Sequence, residues 1–131
     1  MAGCGDDPGG SNCGPRVLKL GPGVDAPEVH GISSTGDAWM LALPGYPIPS
    51  GHSVDVAFRL TAATSDRVAV RIEGVGFQPP ATVGDVAPHE TPGWQRPGRE
   101  WTARLTFPRS ACWIIRVTAE GESGSFTVRV R

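Results

Sequence analysis

The sequence predicts an all-β fold, an antiparallel sandwich of about seven strands. Three observations predict it. Apolar residues recur with period two in one segment after another. Glycine (18) and proline (13) are plentiful among the 131 residues, which suits many turns. No segment carries an apolar 3.6-residue period long enough for a stable helix. A small barrel is the main alternative for such a pattern.

The elements follow in order. Arg16 to Leu20 reads as a short first strand and Asp37 to Leu43 as a second, ended by Pro44-Gly45-Tyr46-Pro47. Ser53 to Thr61 is the clearest: Val54, Val56, Phe58 and Leu60 point inward, against Ser53, Asp55 and Arg59. In Arg67 to Glu73, Val68, Val70 and Ile72 oppose Arg67, Arg71 and Glu73. Glu100 to Phe107 sets Trp101, Ala103, Leu105 and Phe107 against Glu100, Thr102, Arg104 and Thr106. Ala111 to Ala119 and Gly124 to Arg131 close the set, the latter with Phe126, Val128 and Val130 inward. The outward Arg59, Arg71, Arg104, Arg116 and Arg129, with Asp55, Glu73 and Glu100, read as a mixed solvated face that also discourages edge pairing. Residues 74 to 98 read as one long irregular connection, and long loops in compact domains are often functional.

By length this is one domain, able to bury roughly two-thirds of its unfolded surface. Residues 1 to 15 are poor in apolar side chains and read as a flexible N-terminal tether; residues 16 to 131 form the domain. A net charge of -1 and 19% charged residues argue against nucleic acid, and against a membrane surface engaged by charge alone. No apolar run reaches the roughly 18 residues of a spanning helix.

Met1-Ala2-Gly3-Cys4-Gly5, followed by the polar run Asp6-Asp7-Pro8-Gly9-Gly10-Ser11-Asn12, resembles the lipobox region of bacterial lipoproteins. The resemblance implies lipid on Cys4, export, and anchorage at the outer face of a bacterial membrane. It also implies a natural gene encoding an apolar signal segment that ends just before Cys4. Cys13 and Cys112 then remain, and an even pair in an exported protein is most simply a disulfide. Two free thiols in a cytosolic protein is the alternative. Trp113, Ile115 and Val117 form an apolar set, so Cys112 faces outward with Ile114 and Arg116, where it can reach a tail crossing the sheet.

Phe107-Pro108-Arg109-Ser110-Ala111-Cys112-Trp113, with the final Phe126-Thr127-Val128-Arg129-Val130, resembles the last hairpin of immunoglobulin-like domains in bacterial envelope proteins. Ala111 stands where a glycine is usual. The resemblance covers about 25 residues; it implies an immunoglobulin-like sandwich in the cell envelope and no activity.

Candidate chemistry is sparse. His30, His52, His89 and Met40 include no two residues at ligand spacing, and neither His nor Met follows Cys112 as a cupredoxin site requires. No metal or cofactor is therefore expected. His52, Ser53 and Asp55 bring triad residue types together without a base placed between nucleophile and acid. Trp94 lies in the Pro/Gly-rich part of the 74–98 connection, beside His89, Arg96 and Arg99. An exposed Trp next to Arg has the composition of a contact hot spot, and could also stack on a sugar; a Trp folded back over the core's open end is the alternative. The expectation is a non-enzymatic, exported, lipid-anchored binding or interaction module. Trp94, Arg96, Arg99 and His89 would meet its partner, another envelope protein or a cell-wall glycan. The membrane would be met only through the lipid. A copper carrier and a structural accessory subunit of a membrane complex are the alternatives.

Overall fold

A computed structural model describes Cys13 and residues 19–34, 37–74 and 80–131. These residues form nine strands and no helix: β1 (Lys19–Leu20), β2 (Pro27–Ser33), β3 (Ala38–Leu41), β4 (Ser53–Leu60), β5 (Val68–Gly74), β6 (Thr82–Pro88), β7 (Arg99–Thr106), β8 (Ala111–Ala119) and β9 (Glu122–Val130). The fold is all-β, as expected, but has nine strands instead of seven. All ladders between them are antiparallel, in the order β5-β8-β9-β2-β3-β4-β7-β6, with β1 added on β2. The end strands β5 and β6 also touch, so the sheet curls nearly into a barrel.

Alternation positions the core. Val54, Val56, Phe58 and Leu60 of β4 face Trp101, Ala103 and Leu105 of β7 through register pairs such as Phe58–Trp101, and all are buried. Trp113, Ile115 and Val117 of β8 pair with Val128, Phe126 and Gly124 of β9 on the same inner face. The Phe58 and Trp101 rings stack at 5.7 Å. Trp101 donates its indole N–H to the carbonyl of Asp66 at 2.8 Å, so its polar edge is satisfied.

β2 and β6 are absent from the sequence reading, and each has a physical reason. β2 buries one side chain, Val29, and combines Pro27, His30 and Gly31, which weaken any strand signal. It pairs with β3 through residues 28–31 and with β9 through Ile32 and Ser33, and so joins the two parts of the sheet. A Cβ on Gly31 would stand 2.6 Å from the Ser125 carbonyl oxygen, so the crossing needs glycine there. In β6 the register slips between Val83 and Val86, which breaks the period of two. Within the connection expected over 74–98, the described residues therefore include a strand, β6, and a ten-residue loop, 89–98.

Cys13 and Cys112 form a disulfide, with Cα atoms 5.6 Å apart. It joins the N-terminal segment to the outer face of β8, since the neighbouring Trp113 points into the core. The bond spans 99 residues of chain. Cys13→Ser should lower the unfolding free energy by about 2–5 kcal/mol, read by denaturant titration in oxidising buffer. Apart from Cys13, the proposed tether, Cys4 included, lies outside the described residues.

Candidate functional site

Two loops fold over the outer face of β3, β4 and β7 and bury part of it. One is 21–26, between β1 and β2; the other is 89–98, between β6 and β7. Their backbones touch. Gly23 and Gly93 have φ of 83° and 85°, and a Cβ on Gly23 would lie 1.9 Å from the Gly93 carbonyl oxygen. The Gln95 N–H donates to the Pro22 carbonyl at 2.8 Å, which locks the two loops together.

Trp94 is the side chain this arrangement covers. It is 4% exposed and packs with Ala26, Leu41 and Ala57 in a second, smaller apolar cluster. The expected exposure of Trp94 is thus corrected: the indole roofs the outer face of the sheet. The Arg59 guanidinium lies 4.8 Å from its ring centre. The indole N–H donates to Glu28 Oε2 at 2.9 Å.

Beneath the same loop sits Glu100, whose side chain is 1% exposed. Arg59 Nε and Nη2 donate to its Oε1 at 3.0 and 2.8 Å. The Thr91 amide reaches the same oxygen at 2.9 Å, and the Thr91 hydroxyl donates to Oε2 at 2.5 Å. His89 Nδ1 stands 3.1 Å from Oε2. Burial pushes the carboxyl up, but the bonds from Thr91, His89 and Arg59 outweigh it and hold it below its ordinary value. Arg59 also donates to the Arg96 carbonyl. Arg59 and Glu100, expected on a solvated face, instead tie loop 89–98 to β4 and β7.

An aromatic stack adjoins this cover. Arg96 binds Glu28 through Nε and Nη2, at 2.9 and 2.7 Å. That carboxylate raises the proton affinity of the guanidinium. The Arg96 guanidinium carbon lies 3.6 Å from the centre of the Trp39 ring. The His30 ring stacks on Trp39 at 4.1 Å and 12°. Trp39 thus packs against both groups. An open groove of about 560 Å3 runs past the stack, lined by Lys19, Leu20, Pro22, Glu28, His30, Trp39 and Arg96. Leu20 is 58% exposed in its wall.

The four expected contact residues therefore do not line one groove. Trp94 is covered and Arg96 belongs to the Trp39 groove. His89 and Arg99 line a separate groove of about 420 Å3 with Asp66 and Glu90, where Arg99 pairs with Asp66 at 2.8 Å. The sequence singles out none of Glu28, Trp39 and Leu20 for such a groove, and it offers His30 only as a metal-ligand candidate. One signal existed for Trp39: it and Leu41 are large apolar residues on the face of β3 opposite the inward Ala38 and Met40, which marks an outer face with a cover.

Among the described residues no three His, Cys, Asp or Glu side chains come close enough to hold a metal ion. His30 is on β2, His52 precedes β4, His89 follows β6, and Met40 is fully buried. The Ser53 hydroxyl is 3.1 Å from that of Thr106, and Asp55 is engaged by Arg104 at 3.1 Å. No protein family, curated protein or solved structure matches the chain.

Proposed function

We propose that this is a non-enzymatic, exported, lipid-anchored interaction module of the cell envelope with an immunoglobulin-like sandwich, whose groove beside Trp39 receives a segment of another envelope protein. The lipobox-like Ala2-Gly3-Cys4 and the Cys13–Cys112 disulfide support the compartment, since such bonds persist in oxidising surroundings. Strand order supports the sandwich. The sequence β3-β4-β7-β6 on one side and β5-β8-β9 on the other follows the order of an immunoglobulin-like domain's two sheets, counted from β3. β1 and β2 are then additions at the N-terminal end.

The groove is the observation on which the binding role rests. It combines exposed Leu20 with a preorganised stack whose side chains are already fixed by ion pairs, so a partner orders little on binding. His30 and Arg96 already pack on the Trp39 ring, which favours a polypeptide over a stacked sugar. The test uses the protein expressed from its natural gene and recovered from its own membranes. The wild type should sediment with membranes and copurify with one partner in fixed ratio. Cys4→Ser should release it to the soluble fraction. Leu20→Asp should abolish copurification while shifting stability by no more than about 0.5 kcal/mol, as exposed substitutions do. Unchanged copurification of Leu20→Asp would remove the groove from the proposal.

A further inference from the structure

We infer that the segment received by the Trp39 groove is acidic: an extended stretch of the partner sets an Asp or Glu carboxylate against Lys19 and Arg96, with an apolar side chain beside it along Leu20 and Pro22. The inference rests on the groove reading above and adds to it the chemistry of the partner.

Register brings the polar groups together. Lys19 of β1 stands directly opposite Glu28 of β2, and His30, two residues on, stands opposite Trp39 of β3. Residues opposed in this way share a face, so Lys19, Glu28, His30 and Trp39 form one patch of the outer surface.

Within that patch the one carboxylate is already committed. Glu28 Oε1 accepts from Arg96 Nη2, and Oε2 accepts from Arg96 Nε and from the Trp94 indole. Its side chain is only 7% exposed. Lys19, although opposite Glu28, is exposed and makes no ion pair among the described residues. Arg96 Nη1 likewise has no acceptor among them. The groove therefore offers two cationic donors and no open carboxylate, since its lining includes no acidic residue besides Glu28. Exposed Asp37 approaches His30 Nε2 at 3.6 Å from outside that lining, and exposed Asp25 also lies outside it. Residues 14–18, 35–36 and 75–79 include no Asp or Glu. Asp6 and Asp7 precede Cys13, which the disulfide holds at Cys112 on the outer face of the opposite sheet.

Two further features select a polypeptide as the carrier of the carboxylate. β1 is paired on one side only, with β2, so a main chain can align along its other side. Leu20 and Pro22 line the groove next to the two cations and suit an apolar side chain adjoining the acidic one. An ammonium on a flexible stem and a guanidinium edge fixed by Glu28 can both donate to one carboxylate.

The experiment selects random heptapeptides, displayed on phage, against the oxidised 131-residue chain. The selected sequences should be enriched in Asp or Glu next to Leu, Ile or Val. A synthetic peptide of the selected sequence should bind about tenfold more weakly to Lys19→Glu than to wild type, and more weakly at high salt. Lys19→Gln, which keeps the stem without the charge, should fall between them. Arg67→Glu, an exposed charge reversal outside the groove, should bind as wild type. Thermal melts of each variant establish that it is folded. Selection of no peptide, selection without acidic enrichment, or equal binding by Lys19→Glu overturns the inference. So does displacement of the peptide by polyphosphate as readily as by the free peptide, which would make the groove a site for any polyanion. If selection fails while Leu20→Asp still abolishes copurification of the native partner, the acidic chemistry alone is refuted. If acidic peptides bind as expected while Leu20→Asp copurifies unchanged, the envelope-protein partner alone is refuted.

Discussion

Glu100→Ala should destabilise the fold by about 3–5 kcal/mol, the usual consequence of removing one partner from a buried ion pair. The loss has two sources. Arg59, with a side chain only 11% exposed, would keep its charge without its carboxylate. The Thr91 amide and hydroxyl would also lose their acceptor, and loop 89–98 its tie to the sheet. Acid should expose the same interaction. The native environment holds the pKa of Glu100 below its ordinary value of 4.5, so its contribution to stability is complete at pH values well above that. The contribution fades as pH falls toward the lower native value. Glu100→Gln keeps the shape and removes the titration. Its unfolding free energy should therefore change less between pH 7 and acid than that of the wild type. Denaturant titrations of both proteins at a series of pH values measure the difference, and parallel profiles would show that Glu100 is not the group responsible.

The inner faces of the strands were legible because burial on one side of a strand leaves a period of two in the chain itself. Val54 to Leu60 and Trp113 to Val117 lie inward as alternation requires. β2 and β6 were not legible, since one is held by close approach at Gly31 and the other bends at a bulge. The outward direction of Cys112 is a local property of its strand, and with Cys4 set aside by the lipobox resemblance it leads to the Cys13 pairing found. The outer face of β3 and β4 was a different problem. Its cover comes from loops distant in sequence, and Glu28 meets Trp94 and Arg96 across 66 and 68 residues. Charge on an outward strand position reads as solvated unless the covering loop is known, which is why alternation alone places Arg59 and Glu100 at the surface.

Trp94→Ala should cost about 3–5 kcal/mol, the range for deleting a buried aromatic side chain. The length and composition of the connection expected over 74–98 point to Trp94 as a contact residue, whose removal would weaken binding and spare stability. Its burial reverses that expectation. The indole fills the space between loop 21–26 and the outward Leu41 and Ala57, with Val24 and Trp39 packed against the same cluster. Its loss would also leave Glu28 with Arg96 as its remaining side-chain donor. Trp94→Phe separates the two contributions. It retains most of the apolar volume and loses the N–H, so it should cost about 1–3 kcal/mol, the range for a buried acceptor deprived of a partner. The Trp39 groove reads the same substitution differently. Arg96 is still bound to Glu28 in the Phe variant, so partner binding there should stay near wild type while the melting temperature drops. A Trp94→Phe protein that melts normally but no longer copurifies with its partner would return Trp94 to the contact surface and contradict its role as the roof of the sheet.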